Sequence, residues 1–176
     1  MIAEIILKMA TKNKFENMKN YIFILVFISI LPDYSGILKG QELRKSQKYT
    51  IEKQVDSVFQ ISIQVAEKLD YDKLSQCVDD RYAAAFISNN IFYSSYDSLV
   101  NFARTRAQGV ASQTITIKNK KITALSESIA LVNACGDTKV YLKDGREFEL
   151  KFYWTFVYSK INNAWKVIQS HQSSQR

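Results

Sequence analysis

Four runs of alternating apolar and polar residues fill the chain after residue 112, and tight-turn signals join the last of them. The runs begin QTITI, SIALV, EFELK and AWKVI. Alternation with a period of two is typical of a β-strand that buries one face. Asp144–Gly145 and Asn162–Asn163 supply the left-handed backbone conformations that two-residue hairpins require. The second half of the chain is therefore predicted to fold as an antiparallel sheet.

The residues before this region follow a helical period instead. Apolar side chains recur every three or four residues from Tyr49 to Leu69, which predicts a helix of about five turns. Asp70 then ends this helix and caps a short second helix that runs through Val78. Both helices precede every predicted strand in the chain.

A short hairpin and a third helix are predicted before the long strands. The runs RYAAAFIS and IFYSS flank Asn89–Asn90, a turn signal of the same kind. Ser94, with Asp97 three residues on, is typical of a capped helix start, and Gly109 marks the helix end. A long helix laid over a curved antiparallel sheet is expected to leave a cavity between the two layers.

This element order, together with FISNNIFYSSYDSL and the ending INNAWKVIQSHQS, resembles the nuclear transport factor 2-like superfamily. The chain looks closest to its SnoaL-like branch and is similar to the association domain of calcium/calmodulin-dependent protein kinase. The resemblance covers roughly residues 49–174. It implies an α+β, cystatin-like cone, in which three N-terminal helices pack on a curved, mostly antiparallel sheet of about six strands. Residues 41–176 are accordingly predicted to form one domain.

The aromatic strand that begins EFELK is apolar on both of its sides. One side is expected to pack against the helices, and the other is expected to form a subunit interface. The family resemblance likewise implies a homodimer formed through the sheet.

The closing strand turns polar while keeping its alternation. Strict alternation places Trp165, Val167, Gln169, His171 and Ser173 on one face, with Gln169 and His171 at the mouth of the cavity. His171, the only histidine, either takes part in hydrogen bonding or proton transfer there, or ties the last strand to its neighbour. The resemblance favours the first role, because members carry a W-x-[IV]-[VI]-x-x-H-x-S strand.

Other candidate ligand-binding residues are Tyr93, Tyr153, Trp154 and Arg104. The tyrosines are either hydroxyl donors or core residues with the hydroxyl at the edge. Arg104 either recognises an anion or favours the negative end of its helix dipole.

No carboxylate interrupts a buried run, and the sequence holds no nucleophilic triad, phosphate loop or metal-ligand spacing. No cofactor and no metal are therefore expected. We expect the domain to bind a small apolar or weakly polar ligand in its cone, or to act as a dimeric interaction module. The alternative is a small isomerase, dehydratase or cyclase that uses His171 for proton transfer.

Residues 1–40 have the pattern of an N-terminal extension and signal peptide. The apolar segment 21–31 follows Lys19, Lys14 and Lys12, and it is too short to span a bilayer. The start is either Met1 or Met18, and no clear cleavage pattern follows. We expect an exported protein, periplasmic or secreted, without membrane attachment beyond this segment.

Export permits disulfide bonds, and Cys77 and Cys135 either pair or remain separate buried thiols. Residues 41–176 keep 19 basic and 14 acidic side chains, with the densest basic cluster in IKNKKI. Such a cluster is typical of a strand at a sheet edge. Nucleic-acid binding instead requires a basic stripe with interleaved aromatics, so no nucleic-acid partner is expected.

Overall fold

The computed structural model describes residues 42–175. The predicted extension 1–40, its apolar segment 21–31 and both candidate starts lie outside these residues. Three α-helices and six β-strands follow one another in the predicted order, with a 3₁₀ turn at Ala107–Gly109 after the third helix. Their bounds are α1 Lys45–Glu67, α2 Tyr71–Gln76, β1 Phe86–Ser88, β2 Ile91–Tyr93, α3 Tyr96–Arg106, β3 Val110–Ala124, β4 Ile129–Leu142, β5 Glu147–Ile161 and β6 Ala164–Gln175.

The three turns predicted from the sequence are present in the structure. Asn89 and Asn90 have φ values of 48° and 68°, and Asn162 and Asn163 have φ values of 50° and 61°. Gly145 has a φ of 87°. These positive values are those of tight hairpins, and asparagine and glycine adopt them at low cost.

The helix caps confirm one prediction and correct another. The Asp70 carboxylate accepts a hydrogen bond from the backbone N–H of Lys73 and caps α2, as predicted. The predicted cap of α3 at Ser94 is wrong by one residue. Ser95 caps this helix, because its hydroxyl oxygen accepts from the backbone N–H of Ser98 at 3.3 Å.

The strands form one six-stranded sheet in the order β2-β1-β6-β5-β4-β3. All neighbours are antiparallel except β1 and β6, which run parallel. Helix α1 buries Ile51, Val55, Phe59 and Ile63, spaced four residues apart, in the core that also contains the inward residues of β4, β5 and β6. We call this helix-packed side of the sheet the covered face, and the opposite side the open face.

Polar side chains of α1 cover the free edge of β3. The Glu67 carboxylate accepts a hydrogen bond from the backbone N–H of Ile115 at 2.8 Å. Lys120 forms an ion pair with Asp56 on the same helix. Lys118, also in the basic cluster, pairs with Asp137. Unpaired strand edges recruit other strands, so the two contacts with α1 protect the edge, whereas the Lys118–Asp137 pair joins β3 to β4.

A β-bulge at Ile168 breaks the alternation of β6. Tyr158 of β5 is opposite Val167, whereas the preceding residue Val157 is opposite Gln169, so Ile168 has no partner residue on β5. Val167 is held on its other side, since its N–H donates to the Cys77 carbonyl at 3.0 Å and its carbonyl accepts from the Asp79 N–H at 2.9 Å.

Because of this extra residue, each later residue of β6 lies on the opposite face from the one that strict alternation predicts. Ser170 and Gln172 lie on the covered face with Val167, whereas Gln169 and His171 lie on the open face. The prediction that Trp165, Val167, Gln169 and His171 share one face is therefore wrong.

Candidate functional site

A cavity of about 220 Å³ lies between the helices and the covered face of the sheet. Its walls come from all three helices and from β3, β4, β5 and β6. Aromatic rings form much of the lining, in particular Phe59, Tyr96, Trp154, Phe156 and Tyr158. Aromatic walls of this kind bind apolar ligands by excluding water from them.

The aromatic rings pack against one another in fixed orientations. Phe156 contacts Trp154 edge-to-face at a centroid distance of 6.0 Å and lies 6.0 Å from Phe59. Trp154 in turn stacks on Phe152 at 3.8 Å. Each ring is therefore positioned by its neighbours, so the cavity is preformed.

Two polar pairs interrupt the apolar wall on opposite sides of β5. Gln113 of β3 and Thr138 of β4 form the first pair. Ser170 and Gln172 of β6 form the second, in which the Gln172 amide nitrogen lies 3.0 Å from the Ser170 hydroxyl oxygen. A few placed polar groups in an apolar wall are what orient a small ligand.

The cavity lining carries no carboxylate, lysine, arginine or histidine among the described residues. Burial raises the pKa of the Tyr96 hydroxyl above its ordinary value. Burial raises the pKa of Tyr158 as well, and a hydrogen bond with Ser62 opposes that shift in part. Both tyrosines therefore stay neutral over the physiological pH range, and the cavity presents an uncharged surface.

Among the predicted site residues, Trp154 lines this cavity. His171 does not, because the bulge at Ile168 turns it to the open face, where it is exposed. Gln169 and Tyr153 also lie on the open face, and Tyr153 is 50% exposed. The expected position of His171 and Gln169 at the cavity mouth is wrong for this reason.

His171 lies in a wide, shallow depression of about 530 Å³ on the open face. Thr155 of β5 is its cross-strand partner and donates a hydrogen bond to the side-chain oxygen of Asn133 at 2.8 Å. Tyr153 and Ser173 are part of the same lining. The histidine thus has polar neighbours, and Trp154 is the one residue that this depression shares with the lining of the aromatic cavity.

Tyr93 and Arg104 lie outside the cavity lining. The Tyr93 ring is buried 5.7 Å from that of Phe102, and its hydroxyl has no hydrogen-bond partner among the described residues. Arg104 is exposed and forms a 2.7 Å ion pair with Asp72. This pair links α3 to α2.

Cys77 and Cys135 are both free. Cys77 follows α2 and lines the cavity, whereas Cys135 lies on the open face of β4. The sheet separates the two thiols, so they do not form a disulfide within one chain. Within residues 42–175, no group of three or more metal-ligating side chains is placed to hold a metal ion. No helix in this range is long and apolar enough to cross a membrane.

Gln113, Thr138, Ser170 and Gln172 are site residues that the sequence interpretation missed. A signal exists for the first two. Thr138 is in phase with the apolar and small residues that β4 turns inward, and Gln113 is in phase with Ile115 in the same way. A polar residue in phase with a buried face is a candidate ligand contact. Ser170 and Gln172 give no such signal, because the bulge changes their phase.

Residues 55–175 match the family model described as SnoaL-like domain. No protein among the curated sequences matches the chain.

Many solved structures share the fold. A nuclear transport factor 2-like superfamily protein from Salmonella enterica serovar Typhimurium superposes with a TM-score of 0.64 at 16% identity, covering 73% of this chain and 93% of its own. A protein from Novosphingobium aromaticivorans, provisionally named a scytalone dehydratase, superposes with a TM-score of 0.65 at 10% identity. The match covers 76% of this chain and 89% of that protein. A third protein, from Xanthomonas campestris, is provisionally named a calcium/calmodulin-dependent protein kinase II association domain. It superposes with a TM-score of 0.57 at 18% identity, and the match covers 69% of this chain and 85% of that protein.

These likenesses confirm the predicted α+β architecture, a curved and mostly antiparallel sheet with helices on one face.

Proposed function

The chain belongs to the SnoaL-like domain family, and on that premise we propose that it binds a small, neutral, largely apolar ligand between its helices and its sheet. The observation that carries this proposal is the uncharged aromatic cavity of about 220 Å³. A dry apolar cavity of about 150 Å³ in another protein admits benzene. The cavity in this chain accordingly suits a ligand of one or two rings.

Binding is favoured over catalysis by the same lining. Acid–base chemistry in a cavity of this kind needs a group that reaches the ligand and exchanges a proton near neutral pH, whereas burial raises the pKa of the lining tyrosines Tyr96 and Tyr158. The enzyme alternative assigned that role to His171, which the structure places on the open face. Similar folds include the protein provisionally named a scytalone dehydratase, but at 10% identity that likeness concerns the fold alone.

A cavity-blocking variant tests the proposal. Ala66 lines the cavity from α1, whereas Gln64 of the same helix is exposed. Indole and naphthalene, each added in excess to the purified protein, are expected to raise the melting temperature by several degrees, because ligand at about 100 times its Kd adds about 2.7 kcal/mol to the free energy of unfolding.

Ala66→Phe is expected to abolish this shift, and Gln64→Phe is expected to retain it. An unshifted parent protein with both probes would overturn the proposal, as would an undiminished shift in Ala66→Phe.

We further propose that two copies associate through the open face. Tyr153 is 50% exposed there and Tyr141 is 37% exposed, and the same face carries the half-buried Leu131 and Val157. Exposed and half-buried apolar side chains on one face of a sheet favour burial against a second copy. Light scattering is expected to give the mass of a dimer, and Tyr153→Lys is expected to shift it toward the monomer. A monomer at every concentration would contradict this.

Export is the last part of the proposal and depends on the apolar segment 21–31 and the lysines before it. Cell fractionation is expected to place the protein outside the cytoplasm, with residues 21–31 removed in its measured mass. A full-length cytoplasmic protein would argue against export.

A further inference from the structure

Gln113 presents an oriented hydrogen-bond acceptor to the cavity. Its side-chain nitrogen donates to the backbone carbonyl of Ala66 at 2.7 Å. A backbone carbonyl only accepts hydrogen bonds, so the amide must turn its nitrogen toward Ala66. The side-chain oxygen is then fixed on the other side, and it has no donor among the described residues.

The end of α1 holds this amide in place. The carbonyl of Ala66 also accepts from the backbone N–H of Leu69 at 2.9 Å, which fixes its position in the last turn. The next residue, Glu67, accepts from the backbone N–H of Ile115 at 2.8 Å, two residues beyond Gln113 on β3. Helix and strand are thus joined at Ile115 as well as through the amide itself.

Thr138 adds a hydroxyl to the same part of the cavity. Ile115 is opposite Thr138 and Gln113 is opposite Val140, so Gln113 and Thr138 are diagonal neighbours on the covered face. Thr138 is 9% exposed and lines the cavity, so its hydroxyl is placed to bond to a molecule held there. A ligand that fills the cavity without bonding to this hydroxyl displaces water from it and leaves it without a partner, whereas a ligand group that bonds to it avoids that loss.

Charge limits which ligands this pair accepts. A carboxylate or phosphate would lose its hydration in a cavity with no cation on its walls, and the Gln113 oxygen would repel it. A hydrocarbon would leave both polar groups without partners. A neutral hydroxyl satisfies both, because it donates to Gln113 and accepts from Thr138.

We propose that the cavity selects neutral alcohols and phenols, with Gln113 and Thr138 as the residues that determine this specificity. The inference rests on the proposed binding function and adds the chemical class of the ligand. The second polar pair, Ser170 and Gln172, is available to orient the far end of such a molecule.

Three bicyclic probes of similar size separate the outcomes: 2-naphthol, 2-methylnaphthalene and 2-naphthoate. Calorimetric titration of the parent protein is expected to show 2-naphthol binding at least tenfold more tightly than 2-methylnaphthalene, with 2-naphthoate the weakest. Gln113→Met keeps the length of the side chain and removes its acceptor, so it is expected to bring the two neutral probes to within about twofold. Gln64→Met, on the exposed side of α1, is expected to keep the tenfold preference.

Thr138→Val provides a second variant that keeps the shape of the wall, and it is expected to reduce the preference even if Gln113→Met folds poorly. Equal binding of 2-naphthol and 2-methylnaphthalene by the parent would overturn the inference and leave the proposed function standing. A preference that survives in Thr138→Val and in folded Gln113→Met would also overturn it. Failure of all three probes to bind would contradict the proposed function, which is the binding of a small apolar ligand in the cavity.

Discussion

The two faces of the sheet come from the same strands but differ in chemistry. The covered face presents neutral aromatic rings with two polar pairs around a cavity. The open face carries the only histidine of the described residues, exposed tyrosine and the pair Lys118–Asp137. Neighbouring residues on a strand belong to different environments, so one inserted residue decides which environment a side chain enters. The bulge at Ile168 places His171 on the open face, so this histidine is not the cavity residue that the sequence predicted.

The largest predicted difference between the faces is in stability. Phe59 is 1% exposed on α1 against the covered face, and Phe59→Ala is expected to lower the free energy of unfolding by about 3–5 kcal/mol. Tyr153→Ala on the open face is expected to cost less than about 1 kcal/mol at low protein concentration. Urea denaturation of both variants measures this, and equal losses would contradict the assignment of the core.

Much of this contrast could be predicted from sequence, because local chemistry determines it. The element order follows from hydrophobic period, and the turns follow from residues that tolerate positive φ, such as Asn162 and Gly145. Alternation groups Trp154 with Phe156 and Tyr158 on one side of the strand, and this is the side that lines the cavity.

The bulge at Ile168 could not be predicted in this way, since it depends on partners distant in sequence. Val167 is fixed by Cys77 and Asp79 on one side and by Tyr158 on the other, and no local pattern in AWKVIQSHQS reports those contacts. The misplacement of His171 and the omission of Ser170 both follow from this one residue.

A smaller difference is expected at alkaline pH. Burial raises the pKa of Tyr158 above its ordinary value of 10.0, so above that pH the unfolded chain loses a proton that the folded protein retains. This contribution to stability is present below pH 10.0 and is lost as the pH rises.

Tyr158→Phe is therefore expected to reduce the decline of stability above that pH, by up to about 1.4 kcal/mol per pH unit. Tyr153→Phe, a matched change on the open face, is expected to leave the slope as in the parent. Denaturant titrations at several alkaline pH values measure both slopes, and identical slopes in the two variants would contradict the burial of Tyr158.

The smallest predicted difference concerns two threonines on opposite faces. Thr138→Val replaces a hydroxyl on the cavity wall by a methyl group and is expected to leave stability unchanged or raise it by up to about 1 kcal/mol. Thr155→Val removes the 2.8 Å hydrogen bond to Asn133 and is expected to cost about 0.5 kcal/mol. Thermal unfolding distinguishes the signs, and a clear loss in Thr138→Val would show that its hydroxyl has a partner in the protein.

Ligand binding on the covered face is tested most directly by one NMR titration with 2-naphthol. The single histidine of the sequence gives one ¹³Cε1 signal from the open face, and 5-fluorotryptophan gives two ¹⁹F signals, of which Trp165→Phe identifies the one from Trp154 in the cavity. The ¹⁹F signal of Trp154 is expected to shift with added 2-naphthol while the signal of His171 stays in place. A shift of the His171 signal with an unchanged Trp154 signal would place the ligand on the open face and contradict the account.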